Sequence, residues 1–559
     1  MRFHSAAFGA AIVLALHSPV APAQTLDDLR NDSTEPNNVL TYGKGYSAQR
    51  YSPLTQINQG NVGKLVPVWA LSLENEFGEQ GQPLIKDGVM YTANPKWTVA
   101  IDAVTGKQLW RTPTDFDTDS VRIVCCGVST RGIALYNGMV LRGTIDAHLV
   151  ALDQKTGKEI WKTKVADWKE GYSITGAPIV ANGVLITGMA GAEFGVRGFV
   201  AGYDPATGQE LWRRHTIPGP GEKGGDSWTV KDSYKNGGGS TWVTGTYDPE
   251  LDLTYWGTGN AGPWHPEYRG GDSLYAASVV AIRTKTGEIV WAYQFTPGDP
   301  FDYDSIGEMI LGDVRIGGQV HKGLMHFDKN GFLYVLDRAN GKLLSANPFA
   351  KVTWASHVDM ATGRPVETAA GKNLRAGNRQ KFWPGALGGK NWAHAAFNPR
   401  TGLLYVNTIN MASEYEFIKM TEPFKPGVRY QGIKDHQITS APGEPKGYME
   451  AIDPVTAKAK WRVPLDDVFN LSSMLATGSG LLFTGRHSGE FLALDAETGK
   501  QLWQFQTSSG INASPVTWSH NGRQYVTVLA GLGGVGWRWM DNAKNIPRGG
   551  SVWTFALPQ

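Results

Sequence analysis

Short stretches of alternating hydrophobic and polar residues recur along the chain at regular spacing. Each copy has a short apolar strand ending in Ala-x-Asp, a Thr-Gly turn, and a second strand ending in Trp. Alternation with a period of two indicates β-strands, and Asp followed by Thr-Gly favours a tight turn in which glycine adopts positive φ. The clearest copies span residues 100–110, 151–161 and 493–503.

Five weaker copies extend this pattern over the rest of the chain. Three looser copies end at Trp212, Trp291 and Trp461, a partial copy ends at Trp69, and a degenerate copy reaches Ser345 where Trp is expected. One hairpin cannot bury its own apolar face, so the copies must stack. Eight copies spaced by about 40–50 residues predict an all-β fold, an eight-bladed β-propeller, with the repeated Trp side chains packed between blades.

Two intervals between copies are much longer than the others, at residues 212–291 and 345–461. Insertions of this kind in a propeller form loops or extra elements on one face, often the functional one. Residues 549–556 are predicted to be a final strand that pairs with the N-terminal region and closes the ring.

Composition supports a turn-rich β fold. The 559 residues include 69 Gly and 20 Trp, and only 19% are charged. The formal net charge of +2 gives no electrostatic indication of a nucleic-acid partner. We therefore expect no nucleic-acid binding.

The N-terminus has the pattern of a secretory signal peptide. Arg2 precedes an apolar stretch at residues 6–16, and small residues at 21–23 resemble a cleavage site. The alternative is a membrane anchor, but the stretch is shorter than the roughly 20 residues that a spanning helix needs. We expect a signal peptide at 1–23, a single propeller domain at 24–559, periplasmic localisation and no membrane span.

Several segments depart from the repeat, and function should lie there. Cys125 and Cys126 are adjacent, and Arg131 follows them. An oxidising compartment permits a disulfide between them, which would present a flat, rigid surface to a planar ligand. Arg131 could bind a carboxylate with two N–H groups. The alternative is two reduced cysteines and a surface arginine.

Four oxygen-bearing side chains are candidate metal ligands. Glu193 lies among small residues, Asn260 lies in a Gly-Thr-Gly-Asn segment, and Asp302 and Asp304 would point to the same side of an extended segment. Two neighbouring carboxylates on one side of the chain repel each other unless a cation or a proton lies between them. Oxygen donors suit a hard cation and argue against zinc or copper. The alternative is ordinary turn and loop carboxylates.

Other segments suit a flat, anionic, aromatic cofactor. Trp242 lacks the turn of the repeat and has glycines before it, so its face could stack on a planar partner. Lys329, in an Asp-Lys-Asn-Gly turn, could reach an anionic or quinone oxygen. A similar turn contains Asn391.

Together these motifs resemble the quinoprotein alcohol dehydrogenases, the methanol and ethanol dehydrogenases that use pyrroloquinoline quinone (PQQ). The resemblance covers essentially the whole mature chain. It implies that PQQ lies between a Cys125–Cys126 disulfide and the Trp242 ring, that Asp302 is the catalytic base, and that Glu193, Asn260, Asp302 and Asp304 bind the metal. The cofactor contacts that it implies are Cys125, Cys126, Arg131, Thr175, Gly191, Ala192, Ser240, Trp242, Lys329 and Asn391.

Asp304 bears on the identity of the metal. Within the resembled family, an acidic residue two places after the catalytic Asp looks like a mark of lanthanide-dependent members, and a trivalent ion favours one more negative ligand. Calcium is the alternative. Residues 262–275 resemble ethanol-type relatives, which implies primary alcohols of two or more carbons. Where methanol enzymes place a Glu near the cofactor, this chain has Gln80, with Glu79 alongside.

The expected activity is therefore periplasmic oxidation of a small alcohol to an aldehyde. The chain has no Cys-x-x-Cys-His motif for covalent haem, so we expect a separate soluble cytochrome c as electron acceptor. The alternatives are a calcium enzyme for another alcohol or a polyol, and a non-catalytic propeller scaffold. A homodimer, a monomer and a small second subunit all remain open.

Overall fold

The computed structural model describes residues 23–466, 468–533 and 543–559. All but the last residue of the predicted signal peptide lies outside the described residues. These residues contain two short α-helices, Leu26–Asn31 and Ala369–Arg375. No helix of the described chain is both long and apolar enough to cross a bilayer. Short 3-10 helices span Val62–Lys64, Thr118–Arg122, Trp168–Glu170, Ala192–Phe194, Gly225–Ser227, Ser233–Asn236, Pro266–Tyr268 and Ala543–Asn545.

Eight sheets, each with four antiparallel strands, dominate the described chain, and we number them 1 to 8. The strands of sheets 1 to 4 are Leu84–Lys86, Val89–Ala93, Trp97–Asp102 and Gln108–Pro113; Ala134–Tyr136, Met139–Gly143, His148–Asp153 and Glu159–Lys164; Ile179–Ala181, Val184–Thr187, Phe199–Tyr203 and Glu210–His215; Thr246–Asp248, Leu253–Gly257, Ser278–Arg283 and Ile289–Gln294.

Sheets 5 to 8 continue the same order. Their strands are Ile310–Ile316, Gln319–Phe327, Phe332–Asp337 and Leu343–Pro348; Ala396–Asn398, Leu403–Ile409, Gly447–Ile452 and Ala459–Leu465; Leu475–Thr477, Leu481–Gly485, Glu490–Asp495 and Gln501–Gln506; Val516–His520, Arg523–Ala530, Ser551–Ala556 and Val66–Ser72. Tyr51–Ser52 adds a parallel strand to the first strand of sheet 7.

Sheet 8 joins the two ends of the chain. Its fourth strand, Val66–Ser72, comes from the N-terminal region and pairs antiparallel with Ser551–Ala556. The predicted closure of the ring by the C-terminal strand is therefore confirmed.

The N-terminal segment shows that the eight sheets surround a common centre. Between residues 24 and 52 it forms hydrogen bonds at, or directly after, the first strand of every sheet. The partners in sheets 1 to 8 are Ile85, Asn137, Val180, Tyr247, Leu311, Phe397, Ala476 and Ser519. One segment can reach all these strands only if they line one axis. The fold is the predicted all-β propeller, and the number of sheets equals the predicted number of blades.

The repeated Trp side chains pack between neighbouring sheets. Trp110, in the fourth strand of sheet 1, donates its indole N–H to the carbonyl of Gln154 in sheet 2. Its ring lies against Gly157 of the Thr-Gly turn, where a Cβ would come within 2.5 Å of a ring carbon. Gly157 also has φ +70°, so the turn needs glycine for two reasons. The same pairing joins Trp69 to Gly106, Trp161 to Gly208, Trp212 to Gly287, Trp291 to Gly341 and Trp461 to Gly499.

The seam between sheets 5 and 6 lacks both members of this pair. Ser345 stands in the Trp position of sheet 5, and Ala457 stands in the turn position of sheet 6 with φ +55°. Without an indole ring against the turn, the space for a methyl group is available. The degenerate copy seen in the sequence is thus matched by a compensating residue in its neighbour.

Strand direction places functional segments at one end of the ring. In a four-stranded antiparallel sheet, the segment leading into the first strand and the loop between strands 2 and 3 lie at the same end. We call this end the upper face; the Trp-docking turns, between strands 3 and 4, lie at the lower face. Both long insertions fall at the upper face, within sheets 4 and 6 and the segments leading into them, as predicted.

The insertion at sheet 6 forms extra sheets. Ala355–Asp359 pairs with Arg364–Glu367. A three-stranded sheet, which we call the insertion sheet, contains Gln380–Phe382, Ala412–Phe417 and Ile433–Thr439.

Candidate functional site

All of the predicted site residues lie at the upper face. Some precede the first strand of a sheet: Cys125, Cys126, Arg131, Thr175, Ser240, Trp242, Asp302, Asp304 and Asn391. The others occupy loops between strands 2 and 3: Gly191, Ala192, Glu193, Asn260 and Lys329. Residues far apart in sequence are therefore presented by neighbouring sheets around the same axis.

Backbone hydrogen bonds hold the loops of sheets 3 to 5 side by side. Gly238 bridges Arg197 on one side and Ala261 on the other. The N–H of Gly259 donates to the carbonyl of Ser240 at 2.6 Å. A Cβ on Gly259 would lie 2.5 Å from Asp304 Oδ1, so this close approach requires glycine.

Asp304 is the centre of a compact acidic cluster. Its Oδ1 accepts the backbone N–H of Asn260 at 2.7 Å, and its Oδ2 accepts from Lys329 Nζ at 2.9 Å. Lys329 Nζ also lies 3.4 Å from Asp302 Oδ2. The structure therefore brings Asn260, Asp302, Asp304 and Lys329 together.

Glu193 belongs to the same cluster. Burial raises the pKa of Glu193, and the Asp304 carboxylate raises it further. Burial also holds the pKa of Asp302 well above its usual range; Lys329 opposes this effect, whereas Asp304 and Glu193 add to it. Glu193 thus lies within electrostatic range of Asp302 and Asp304, and the three carboxyl groups concentrate negative charge in this part of the upper face.

Two acceptor atoms in the cluster lack a hydrogen-bond partner among the described residues, Asn260 Oδ1 and Asp302 Oδ1. A buried acceptor without a donor is costly, and a hard cation would satisfy both atoms. In the described chain, no three His, Cys, Asp or Glu side chains form a metal-ligand group by themselves. The donor set depends on the amide of Asn260, and the Lys329 ammonium lies against Asp302 and Asp304. Because Asn260 and Asp302 each offer a buried oxygen without a donor, the residues fit a hard metal ion.

Arg131 lies between two aromatic rings, and we call the group of Arg131, Thr175, Trp242 and Trp392 the pocket. The Arg131 guanidinium carbon lies 4.8 Å from the centre of the Trp242 ring and 4.9 Å from that of Trp392. The Arg131 N–H donates to the carbonyl of Thr175, whose hydroxyl donates to the carbonyl of Trp242. Arg131 Nε and Nη1 have no partner in the described chain, and burial lowers the pKa of Arg131 to about 10. This free edge suits a carboxylate of a planar ligand.

The remaining predicted residues vary in how freely they face the pocket. Cys125 and Cys126 form a disulfide, which decides between the two states that the sequence allowed. Ser240 is buried beside Gly259. Asn391 uses both polar atoms on backbone: Nδ2 donates to the carbonyl of Leu387, and Oδ1 accepts the N–H of Trp392. Asn391 therefore shapes its own turn.

The insertion sheet adds residues that sequence reasoning missed. The His436 ring lies 5.3 Å from the ring of Tyr415 and 6.1 Å from that of Trp264. Burial and the nearby Lys329 ammonium lower the pKa of His436 to about 4. These aromatic side chains therefore form a wall close to the acidic cluster. The length of the insertion was the only sequence signal for them.

This fold and site define a propeller oxidoreductase with places for a metal ion and a planar anionic cofactor. The family model described as "PQQ: glucose/ethanol/alcohol dehydrogenase, β-propeller domain" matches residues 40–353 and 374–526. The chain belongs to this family, the PQQ-dependent alcohol dehydrogenases.

Characterised relatives resemble the chain over nearly its full length. It is 41% identical to quinoprotein alcohol dehydrogenase PedH of Pseudomonas putida, over 98% of this chain and 94% of that protein. It is 39% identical to the quinoprotein ethanol dehydrogenase of Pseudomonas aeruginosa, over 99% and 96% respectively. A europium-containing methanol dehydrogenase superimposes with a TM-score of 0.88 at 35% identity, over 95% of this chain and all of that one.

Proposed function

We propose that this protein oxidises primary alcohols of two or more carbons to aldehydes in the periplasm, using bound PQQ and a lanthanide ion. The observation that carries the proposal is the acidic cluster of Glu193, Asn260, Asp302 and Asp304 at the upper face, next to the pocket of Arg131 and Trp242. The relatives named as alcohol and ethanol dehydrogenases support the alcohol substrate.

The chain supplies binding, orientation and a proton acceptor. When bound, PQQ with its metal ion supplies the two-electron acceptor that oxidation of an alcohol carbon requires. Arg131 and Lys329 would hold the anionic cofactor, with the Cys125–Cys126 disulfide and Trp242 on its two faces. Glu193, Asn260, Asp302 and Asp304 would hold the ion through oxygen.

Asp302 is the proposed catalytic base. Its Oδ1 has no hydrogen-bond partner in the described chain, so one lone pair can contact the ion while the other accepts the hydroxyl proton of a bound alcohol. Replacing Asp302 with Asn keeps the size and removes the basic oxygen. We expect kcat to fall by about 10²–10⁴-fold, the usual contribution of a general base, while PQQ still binds and quenches tryptophan fluorescence. Unchanged kcat would refute the role.

The choice of a lanthanide over calcium depends on Asp304. A second carboxylate beside Asp302 favours a trivalent ion over a divalent one by simple Coulomb attraction. The similarity to a europium-containing enzyme supports this choice. Asp304→Ala should weaken Tb³⁺ binding far more than Ca²⁺ binding. Asp313→Ala, which removes an exposed carboxylate from sheet 5, is the matched control. Equal losses for both ions would favour the calcium alternative.

We also propose that a separate cytochrome c accepts the electrons. The support is the absence of a Cys-x-x-Cys-His haem motif from the sequence, whereas some relatives are named quinohemoproteins. Reduction of added cytochrome c, followed by its absorbance with ethanol as substrate, tests the acceptor. A panel of alcohols from methanol to butanol tests the chain-length preference.

A further inference from the structure

Arg269 is a fully buried arginine that joins the two loops of the acidic cluster. It lies in the loop between strands 2 and 3 of sheet 4, which also contains Asn260. Its guanidinium donates to the carbonyls of Pro263 at 2.6 Å and Trp264 at 3.1 Å on this loop. It also donates to the carbonyl of Asp299 at 2.7 Å, on the segment that leads to Asp302. One planar group thus fixes the distance between the two loops.

Asp299 passes this constraint on to Asp302. The buried Asp299 carboxylate accepts the N–H of Phe301 at 2.8 Å and that of Tyr303 at 2.9 Å. These bonds enclose Asp302, which has φ +66°. A non-glycine residue in this region is strained and persists only where its surroundings enforce the conformation. The Asp299 carboxylate enforces it here.

Burying the charged side chain of Arg269 is unfavourable, which indicates a specific role for its guanidinium. A buried guanidinium loses its hydration, which is unfavourable unless other groups replace the lost water. Within the described chain Arg269 forms no ion pair at salt-bridge distance; Asp299 is the carboxylate that partly restores its lowered pKa. Its bonds to Pro263, Trp264 and Asp299 reach only these two loops. Its fourth partner, Ser273, lies on the same loop as Arg269 itself.

We propose that Arg269 is a positioning residue that sets the separation of Asn260 from Asp302 and Asp304, and thereby the affinity and size preference of the metal site. The inference rests on the proposed function. Lysine cannot replace arginine here, because its single ammonium nitrogen lacks the spread of Nε and Nη2 that reaches carbonyls on both loops. Without the guanidinium of Arg269, the metal ligands should still be present, but the distance between Asn260 and the two aspartates should change.

The test compares metal binding by the full-length protein, treated with a chelator and then titrated with La³⁺, Lu³⁺ or luminescent Tb³⁺. Arg269→Lys and Arg269→Gln should each weaken Tb³⁺ binding by about 10–100-fold, as outer-shell substitutions do at metal sites. The ratio of La³⁺ to Lu³⁺ affinity should also move towards one, because a looser cage discriminates ion size less.

Arg142→Lys is the matched control. Arg142 is equally buried and donates to the carbonyls of Trp97 and Asn94 and to Thr98 and Thr114, none of which belongs to the acidic cluster. This variant should lose stability but keep both the Tb³⁺ affinity and the La³⁺/Lu³⁺ ratio. A purely structural role of Arg269 would make its variants behave like Arg142→Lys, which would overturn the inference.

Three further outcomes are distinguishable. If the Arg269 variants do not fold, Asp299→Asn provides a milder break, since it keeps one accepting oxygen; it should weaken Tb³⁺ binding, and unchanged binding would overturn the inference. A wild-type protein that binds none of these ions would overturn the proposed metal function itself. A wild type that binds them while Arg269→Lys binds equally well would overturn the positioning role alone.

Discussion

Glu79 offers a direct test of how burial controls ionisation in this ring. Its side chain is 1% exposed, and its Oε1 accepts from the amides of Asn75 and Asn94. Its Oε2 has no hydrogen-bond partner in the described chain. Burial raises the pKa of Glu79 to about 8. The folded protein therefore holds this carboxyl protonated where an unfolded chain would ionise it.

The sign and size of the effect follow from linkage. In the unfolded chain, the pKa of a glutamate is about 4.3. Because the folded-state pKa is higher, the stabilising contribution is complete below about pH 4.3 and is lost as pH rises towards 8. At about 1.4 kcal/mol per pKa unit, the loss is about 5 kcal/mol at most.

The substitution Glu79→Gln keeps the Oε1 acceptor and removes the ionisation. Its free energy of unfolding, measured with urea and tryptophan fluorescence on cofactor-free protein, should rise relative to that of wild type by about 3–4 kcal/mol between pH 5 and pH 8. Glu74→Gln, at an exposed site, should show no such trend. A difference between Glu79→Gln and wild type that stays constant with pH would refute the reasoning.

Three further predictions address the seam, the pocket and the aromatic wall. Gly157→Ala should destabilise the protein by about 1–3 kcal/mol, because the methyl group meets Trp110, whereas Gly402→Ala, with the same φ but open space, should cost about 1 kcal/mol; equal costs in thermal unfolding would contradict the docking argument. Arg131→Lys should weaken PQQ binding at least 10-fold by fluorescence titration, since the planar fork is lost; unchanged affinity would place the carboxylate elsewhere. Because the pKa of His436 is about 4, His436→Gln should leave the pH dependence of kcat/KM unchanged between pH 5.5 and 8, and an altered limb would show that the histidine titrates.

The repeat made the fold predictable, because its signal is local. Trp110 and Gly157 each lie in a short motif, and the same Trp–Gly contact recurs between successive pairs of sheets. The degenerate copy at Ser345 could be counted only because its neighbours fixed the spacing. The compensating change at Ala457 became clear only when the structure placed the two residues opposite each other.

Candidate ligands could be picked out from the sequence, but the residues that support them could not. Asp302 and Asp304 stood out because two carboxylates at i and i+2 imply a shared partner. No sequence pattern indicated Arg269, because it donates hydrogen bonds to backbone carbonyls, which every residue has. His436 lies in an insertion without periodicity, so its position near Lys329 could not be deduced from spacing. The sequence also did not show that the Asn391 amide bonds to the backbone of its own turn, at Leu387 and Trp392.

The pairing of Val66–Ser72 with Ser551–Ala556 has a consequence for assembly. During synthesis, the outermost strand of sheet 8 is made early, and the strand that it pairs with follows almost 480 residues later. A truncated chain would leave that strand unpaired and sheet 8 incomplete. Relocating the termini to another seam by circular permutation would replace this long-range pairing with a local hairpin, and the permuted protein should refold faster.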